Sequence, residues 1–187
     1  MSQKTILAAG MLLYRFPSEG GIEILVGERS KKPWLGYDQV VFGGLCELTD
    51  QTPLGTAQRE AREETGGDLV VRMQHIFPIG AFGPESHHYR LWIDRGEHLT
   101  LVKTNQSVSR DDKFLWVVFA GMVVEGEARD TREVVNFRWV EPLEYIAQGA
   151  NLAFDQALAL KAFLDLRRHE ELFQNPRIAN FLGITAT

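Results

Sequence analysis

Apolar and polar residues along this chain alternate in segments that predict a mixture of strands and helices. The strand-like segments are 5–16, 22–28, 39–42, 69–82, 89–93, 114–124 and 134–140. Segment 69–82 is long enough for one or two strands, and the apolar run 114–124 predicts a buried central strand. Gly20 and Gly21 predict the turn of a hairpin that joins the first two strands.

Segment 53–65 is predicted to be an amphipathic helix with recognisable ends. Thr52 is a suitable N-cap, and Pro53 fits the first helical turn. Gly66 and Gly67 follow, where glycine suits a left-handed helix end. The apolar stripe of this helix consists of Leu54, Ala57 and Ala61.

A second helical segment completes the predicted order of elements. Leu158, Phe163 and Leu166 recur at helical spacing within 152–173, which predicts a long C-terminal helix. No internal repeat or interdomain linker interrupts the pattern. We therefore expect one α/β (α+β) domain over residues 1–187, with a C-terminal helical segment from about residue 152.

Three carboxylates on the first helix carry the main chemical signal. Glu60, Glu63 and Glu64 stand at positions i, i+3 and i+4, so their side chains are neighbours on one helix face. Like charges this close repel each other unless a cation lies among them, and Mg²⁺ prefers carboxylate and phosphate oxygens. Arg59 lies four residues before Glu63, within reach of an ion pair. The pattern alone is also compatible with a solvated acidic helix face.

Residues upstream of this helix favour the metal-site interpretation. The apolar run 40–42 leads into Gly43 and Gly44, and two acids, Glu47 and Asp50, follow before the helix. At this point the sequence resembles the signature of the Nudix hydrolase family. The residues that match the second half of that signature, position by position, are Arg59, Glu60, Ala61, Glu63, Glu64 and Gly66.

The first half of the signature is altered in this chain. From Gly44, five residues lead to Asp50 in place of the usual glutamate, and eight residues rather than seven then precede Arg59. Strict spacing back from Arg59 would instead place Gln51 at the glutamate position and Leu45 at the glycine position. We favour the alignment through Gly44 and Asp50 because it keeps a glycine and a carboxylate, and because loops accept insertions at little cost.

The resemblance implies a Nudix-like α/β/α sandwich with a mixed β-sheet, and a hydrolase that needs Mg²⁺ or Mn²⁺. The implied reaction cleaves the pyrophosphate bond of a nucleoside diphosphate linked to another moiety, as in a nucleotide, nucleotide sugar or dinucleotide. By position, Glu60 and Glu64 correspond to metal ligands, and Glu63 to a ligand or general base. Arg59 corresponds to the residue that orients the glutamates, while the identity of the general base stays open.

Further candidate residues surround these acids. The candidate additional metal ligands are Glu47 and Asp50, and the candidate substrate-binding residues are Gly43, Gly44, Arg29 and Trp34. A base could stack on Trp34 while a cation such as Arg29 meets a phosphate, although an ordinary exposed loop explains this segment equally well. His87 and His88 are interpreted as part of a polar loop, because adjacent residues of an extended segment point to opposite faces.

Composition narrows the functional classes. The apolar content of 44% and the charged content of 24% are near globular averages. The net charge of −5 gives no basic surface for a nucleic acid polymer, and no apolar stretch approaches the ~20 residues that span a bilayer. The single cysteine, Cys46, excludes an internal disulfide, favours a reducing, cytoplasmic compartment, and is interpreted as a packing residue.

The expected partner is therefore a small-molecule nucleoside diphosphate derivative, and the family resemblance also leads us to expect a homodimer. Two other functions stay open. A catalytically silent Nudix-fold module for ligand sensing or protein interaction would be marked by loss of the helical acids. A Nudix-fold isoprenoid diphosphate isomerase would need a catalytic cysteine in the site.

Overall fold

The described residues, 5–82, 113–154 and 156–168 of the computed structural model, form seven strands and three α-helices. The strands are β1 (Thr5–Arg15), β2 (Glu23–Arg29), β3 (Asp38–Gln39), β4 (Val41–Leu45), β5 (Val70–Phe82), β6 (Lys113–Glu125) and β7 (Val134–Val140). The helices are α1 (Pro53–Glu64), α2 (Pro142–Ala147) and α3 (Gln156–Arg168), and a 3-10 helix, Leu48–Asp50, precedes α1. None of these helices is both long and apolar enough to cross a membrane.

Strand β1 lies at the centre of one mixed sheet with the order β3-β2-β1-β6-β5. It runs parallel to β6 along residues 5–14 and antiparallel to β4 over residues 8–12. Its last two residues, Tyr14 and Arg15, pair with β2, which confirms the predicted hairpin. Strand β7 pairs with β2 outside this path. The mixed sheet confirms the predicted fold class.

Both faces of the sheet are covered by helices. Leu7 and Met11 of β1 share one buried cluster with Ala61 of α1. Tyr14 lies in a second cluster with Phe163 of α3, and their ring centroids are 5.4 Å apart. Side chains along a strand alternate between faces, so an apolar β1 is buried from both sides.

The predicted helix α1 is confirmed in its ends and its apolar stripe. The Thr52 side chain accepts a hydrogen bond from the Gly55 N–H, and Pro53 occupies the first turn. Ala57 and Ala61 are buried, and the partly buried Leu54 packs against the same cluster.

The prediction for α3 was partly wrong. The helix begins at Gln156, four residues later than expected, and Leu158 is 54% exposed. The residues that α3 buries are Gln156, Ala159, Leu160 and Phe163. The phase of the helix is set by Gln156, whose buried side chain bonds to the backbone of Val40 and Val41. The rest of the predicted helix, 169–173, lies outside the described residues, as does the predicted strand 89–93.

The glycine pair lies inside strand β4 rather than after it. Gly43 pairs with Gly10 of β1, and a Cβ atom at Gly43 would collide with the backbone of Ala9 and Gly10. The missing side chain lets β4 approach β1 closely at this point. Segment 69–82, predicted as one or two strands, is the single strand β5, which pairs with β6 through several register shifts.

Candidate active site

The candidate site lies where α1 crosses β4. The Glu60 carboxylate occupies the place that a side chain at Gly44 would need, so a larger residue there would displace it. The Gly43 N–H donates a hydrogen bond of 2.7 Å to Oε2 of Glu64. The glycine pair therefore brings two acids of the helix against the strand.

Glu64 is the most buried of these acids, with 4% of the residue exposed. Besides the bond from Gly43, its Oε2 accepts one of 2.8 Å from Nε2 of Gln39, and Nη1 of Arg29 lies 4.0 Å from Oε1. Burial raises the pKa of Glu64 to about 8, and the negative charge of Glu60 adds to the shift. The Gly43 hydrogen bond and the Arg29 charge oppose it without cancelling it. The site therefore contains a buried carboxyl with incomplete compensation of its charge.

Arg59 binds the surrounding acids together. Its Nε and Nη2 donate to the two oxygens of Asp50 at 2.8 and 3.0 Å, a bidentate pair. Its Nη1 donates to Glu60 at 2.7 Å and to Glu63 at 3.3 Å. Its Nη2 also donates to the Leu45 carbonyl at 3.3 Å. The predicted Arg59–Glu63 ion pair is present, but Asp50 and Glu60 hold the guanidinium at shorter distances.

Asp50 is held by several donors. Besides Arg59, its carboxylate accepts hydrogen bonds from the Thr56 hydroxyl at 2.8 Å and the Glu47 N–H at 2.9 Å. The hydrogen bond from Arg59 is the largest cause of a pKa lowered to about 2. Gln51 is exposed and has a φ of 61°, so Asp50 and not Gln51 faces Arg59. Asp50, the residue that our preferred alignment places at the glutamate position, is therefore the one that contacts Arg59.

The remaining acids differ in exposure. Burial raises the pKa of Glu60; the bond from Arg59 opposes this, while the charges of Glu63 and Glu133 add to it. Glu63 has 61% of its side chain exposed, and Glu47 has 30%. Glu133, which lies directly before β7, adds negative charge from outside the helix.

The donor chemistry of the site fits a hard divalent cation. The described residues contain no group of three or more His, Cys, Asp or Glu side chains that could hold a metal ion by themselves. Arg59 binds Oε1 of Glu60, and Gly43 and Gln39 bind Oε2 of Glu64, which leaves one oxygen of each carboxylate without these bonds. Mg²⁺ commonly takes one or two carboxylates and completes its shell with water and substrate phosphate.

A buried glutamine links the site to the neighbouring strand. Gln39 is 1% exposed; its Oε1 accepts a 2.7 Å bond from Nη1 of Arg29, while its amide donates to Glu64. The sequence analysis missed Gln39, because a polar residue beside an apolar run has no periodic signal of its own. Trp34 lies in the loop between β2 and β3, where its ring contacts the rings of Tyr37 and Phe154. His87 and His88 lie outside the described residues.

Comparisons with known proteins agree on one family. The NUDIX domain model matches residues 4–163. Among solved structures, the NUDIX domain of Shewanella oneidensis NrtR complexed with ADP ribose is 19% identical, with a TM-score of 0.60 and 88% of each chain covered. The MutT protein from Methanosarcina mazei Go1 is 20% identical, with a TM-score of 0.57 and coverage of 91% of this chain and 98% of that one. A C. elegans Ap4A hydrolase in a binary complex is 16% identical, with a TM-score of 0.56 and coverage of 87% and 98%. No curated protein matches the chain.

The Asp50–Arg59 pair predicts a specific loss of stability. The carboxyl of Asp50, 5% exposed, has a pKa of about 2 against an ordinary 3.8, so its pairing stabilises the fold by about 2 kcal/mol above pH 3.8. That contribution is lost as the pH falls through 2. Asp50→Asn should therefore lower the free energy of unfolding at pH 7 by about 2 kcal/mol in urea titrations. Gln51→Ala is the matched control and should change it by less than about 0.5 kcal/mol; equal effects would contradict the assignment.

The raised pKa of Glu64 predicts an opposite pH dependence. Between the ordinary value of 4.5 and about 8 the folded state keeps a proton that the unfolded chain has released. The stabilisation is complete below pH 4.5 and is lost as the pH rises through 8. In urea unfolding with a chelator present, the free energy of unfolding of Glu64→Gln relative to wild type should increase by on the order of 1–3 kcal/mol as the pH rises from 5.5 to 8.5. A constant difference between the two proteins would show that Glu64 titrates normally.

Proposed function

This chain belongs to the Nudix family, and we propose that it is a metal-dependent pyrophosphohydrolase that acts on a nucleoside diphosphate linked to another moiety. The observation that carries the proposal is the pair of carboxyls, Glu60 and Glu64, against the glycine strand β4. Burial raises the pKa of both groups, so a cation there would stabilise their ionised forms.

The acids divide into metal ligands and positioning residues. Glu60 and Glu64 are the proposed ligands of Mg²⁺ or Mn²⁺. Glu63 and Glu47 are more exposed and would complete the set from the solvent side, as further ligands or as an acceptor for a proton from water. Asp50 acts through Arg59: its two oxygens are already bonded, which favours a positioning role over ligation.

When bound, a divalent cation would neutralise charge on the pyrophosphate and make a coordinated water more acidic. The residues of this chain would hold the reacting group in place. Gly44 leaves the space that the Glu60 carboxylate occupies, and the Gly43 N–H fixes one oxygen of Glu64. Arg29 places a positive charge 4.0 Å from Glu64, where it would meet the phosphate chain.

A ligand-sensing module without turnover is the second candidate. The solved structures with this fold include NrtR in complex with a 27mer DNA, at 17% identity. The intact helical acids favour the hydrolase, and the net charge of −5 favours a small substrate over a nucleic acid polymer. An isomerase is disfavoured because Cys46 is fully buried and burial raises the pKa of its thiol. A cytoplasmic homodimer remains part of the proposal.

The proposal predicts metal-dependent turnover that needs Glu64. The purified protein would be assayed with Mg²⁺ or Mn²⁺ on nucleoside triphosphates, nucleotide sugars, ADP-ribose, dinucleotides and coenzyme A, with phosphate measured after coupled phosphatase treatment. At least one compound should be hydrolysed, and Glu64→Gln should lower kcat at least about 100-fold, because a ligand of the cation is lost.

Glu144→Gln, an exposed glutamate of α2, is the matched control and should retain wild-type kcat. Circular dichroism would verify that each variant is folded. Binding of a panel member without turnover by the wild type would instead support the sensing module, and an unchanged rate in Glu64→Gln would reject the assigned role.

A further inference from the structure

Aromatic side chains from separate segments meet beside Arg29. Phe154, which follows α2, lies 5.7 Å from Trp34 of the β2–β3 loop and 6.3 Å from Trp116 of β6, measured between ring centroids. Trp34 also contacts Tyr37 edge-on at 5.1 Å. The contact between Trp34 and Phe154 joins positions more than one hundred residues apart, so the cluster is a product of the fold and not of one loop.

The two central rings remain open to solvent. Trp34 is 40% exposed and Phe154 is 42% exposed. Both have positive φ angles, 72° and 53°, in a region that bulky side chains rarely adopt. Such conformations cost free energy and concentrate at functional sites. Rings that served only to close the core would be buried, and neither of these is.

Arg29 connects the aromatic cluster to the candidate active site. Its guanidinium carbon lies 5.1 Å from the centre of the Phe154 ring, a cation–π contact. Its Nη1 binds Gln39 and lies 4.0 Å from the Glu64 carboxylate. Its buried Nε has no hydrogen-bond acceptor among the described residues. One side chain therefore spans from the rings to the acids.

We propose that Trp34 and Phe154 form an aromatic platform on which the base of a nucleotide substrate stacks, with Arg29 between the base and the phosphate chain. This inference rests on the proposed function and deepens it, because it assigns binding of the base to two named side chains outside the acidic site. A base-free diphosphate would leave the aromatic platform unused. Stacking accepts any base, since every base has a π-face.

The test separates the base from the phosphates. Binding of ADP, GDP, UDP and CDP, and of inorganic pyrophosphate as the base-free probe, would be measured calorimetrically with Ca²⁺ in place of Mg²⁺. Trp34→Ala and Phe154→Ala should each weaken binding of the nucleoside diphosphates about tenfold or more, the range for loss of a stacking partner. Binding of pyrophosphate should change less than twofold. Trp34→Phe should restore most of the affinity, because it restores a ring.

Leu35→Ala is the matched control, since Leu35 is 57% exposed and adjacent to Trp34 in the same loop; it should bind both kinds of probe like wild type. Three results would each overturn the aromatic platform. The alanine variants could weaken binding of pyrophosphate and nucleotides equally, both could leave nucleotide binding unchanged, or the wild-type protein could bind pyrophosphate but no nucleoside diphosphate. Turnover by variants with unchanged nucleotide affinity would reject the platform and leave the hydrolase standing. Base-dependent binding without any turnover would support the aromatic platform and reject the hydrolase.

Discussion

Burial of the Glu64 carboxyl is the constraint on which the rest of the site depends. A charged group that leaves water must be compensated, and here the compensation comes from one backbone N–H, one amide and a guanidinium 4.0 Å away. The close contact of β4 with β1 and the missing side chain at Gly44 exist at the same crossing of helix and strand. The close approach of the strands and the placement of the acids therefore depend on the same glycine pair, and a cation would stabilise the ionised form of Glu64.

Arg59 compensates the negative charge of the acids that surround it. Several acids lie within one helical turn and the preceding loop, where like charges repel each other. The guanidinium donates hydrogen bonds to Asp50, Glu60 and Glu63, and its contact with Asp50 is bidentate. Asp50 reaches Arg59 across one more residue than the signature has, because the chain turns at Gln51, where φ is positive. The altered first half of the signature thus supplies a carboxylate, Asp50, that contacts Arg59.

Local signals explain what could be predicted from the sequence. Helix α1 was predictable in its cap, its first-turn proline and its buried alanines, because each depends on residues a few positions apart. Gln39 was not, because its partners are Arg29 on another strand and Glu64, which lies 25 residues away. The phase of α3 was also missed: Gln156 bonds to β4 across more than one hundred residues, and this contact rather than the apolar spacing leaves Leu158 exposed. Phe154 gave no signal until the fold brought it to Trp34.

The most direct test of the central claim is a carboxyl carbon NMR titration of Glu64 with and without Mg²⁺, with the resonance assigned by its absence from Glu64→Gln. The structure predicts a pKa near 8 in the metal-free protein, and Mg²⁺ should lower it because a cation stabilises the carboxylate. An ordinary pKa near 4.5 that does not respond to Mg²⁺ would contradict the view that this buried carboxyl is arranged to bind a metal.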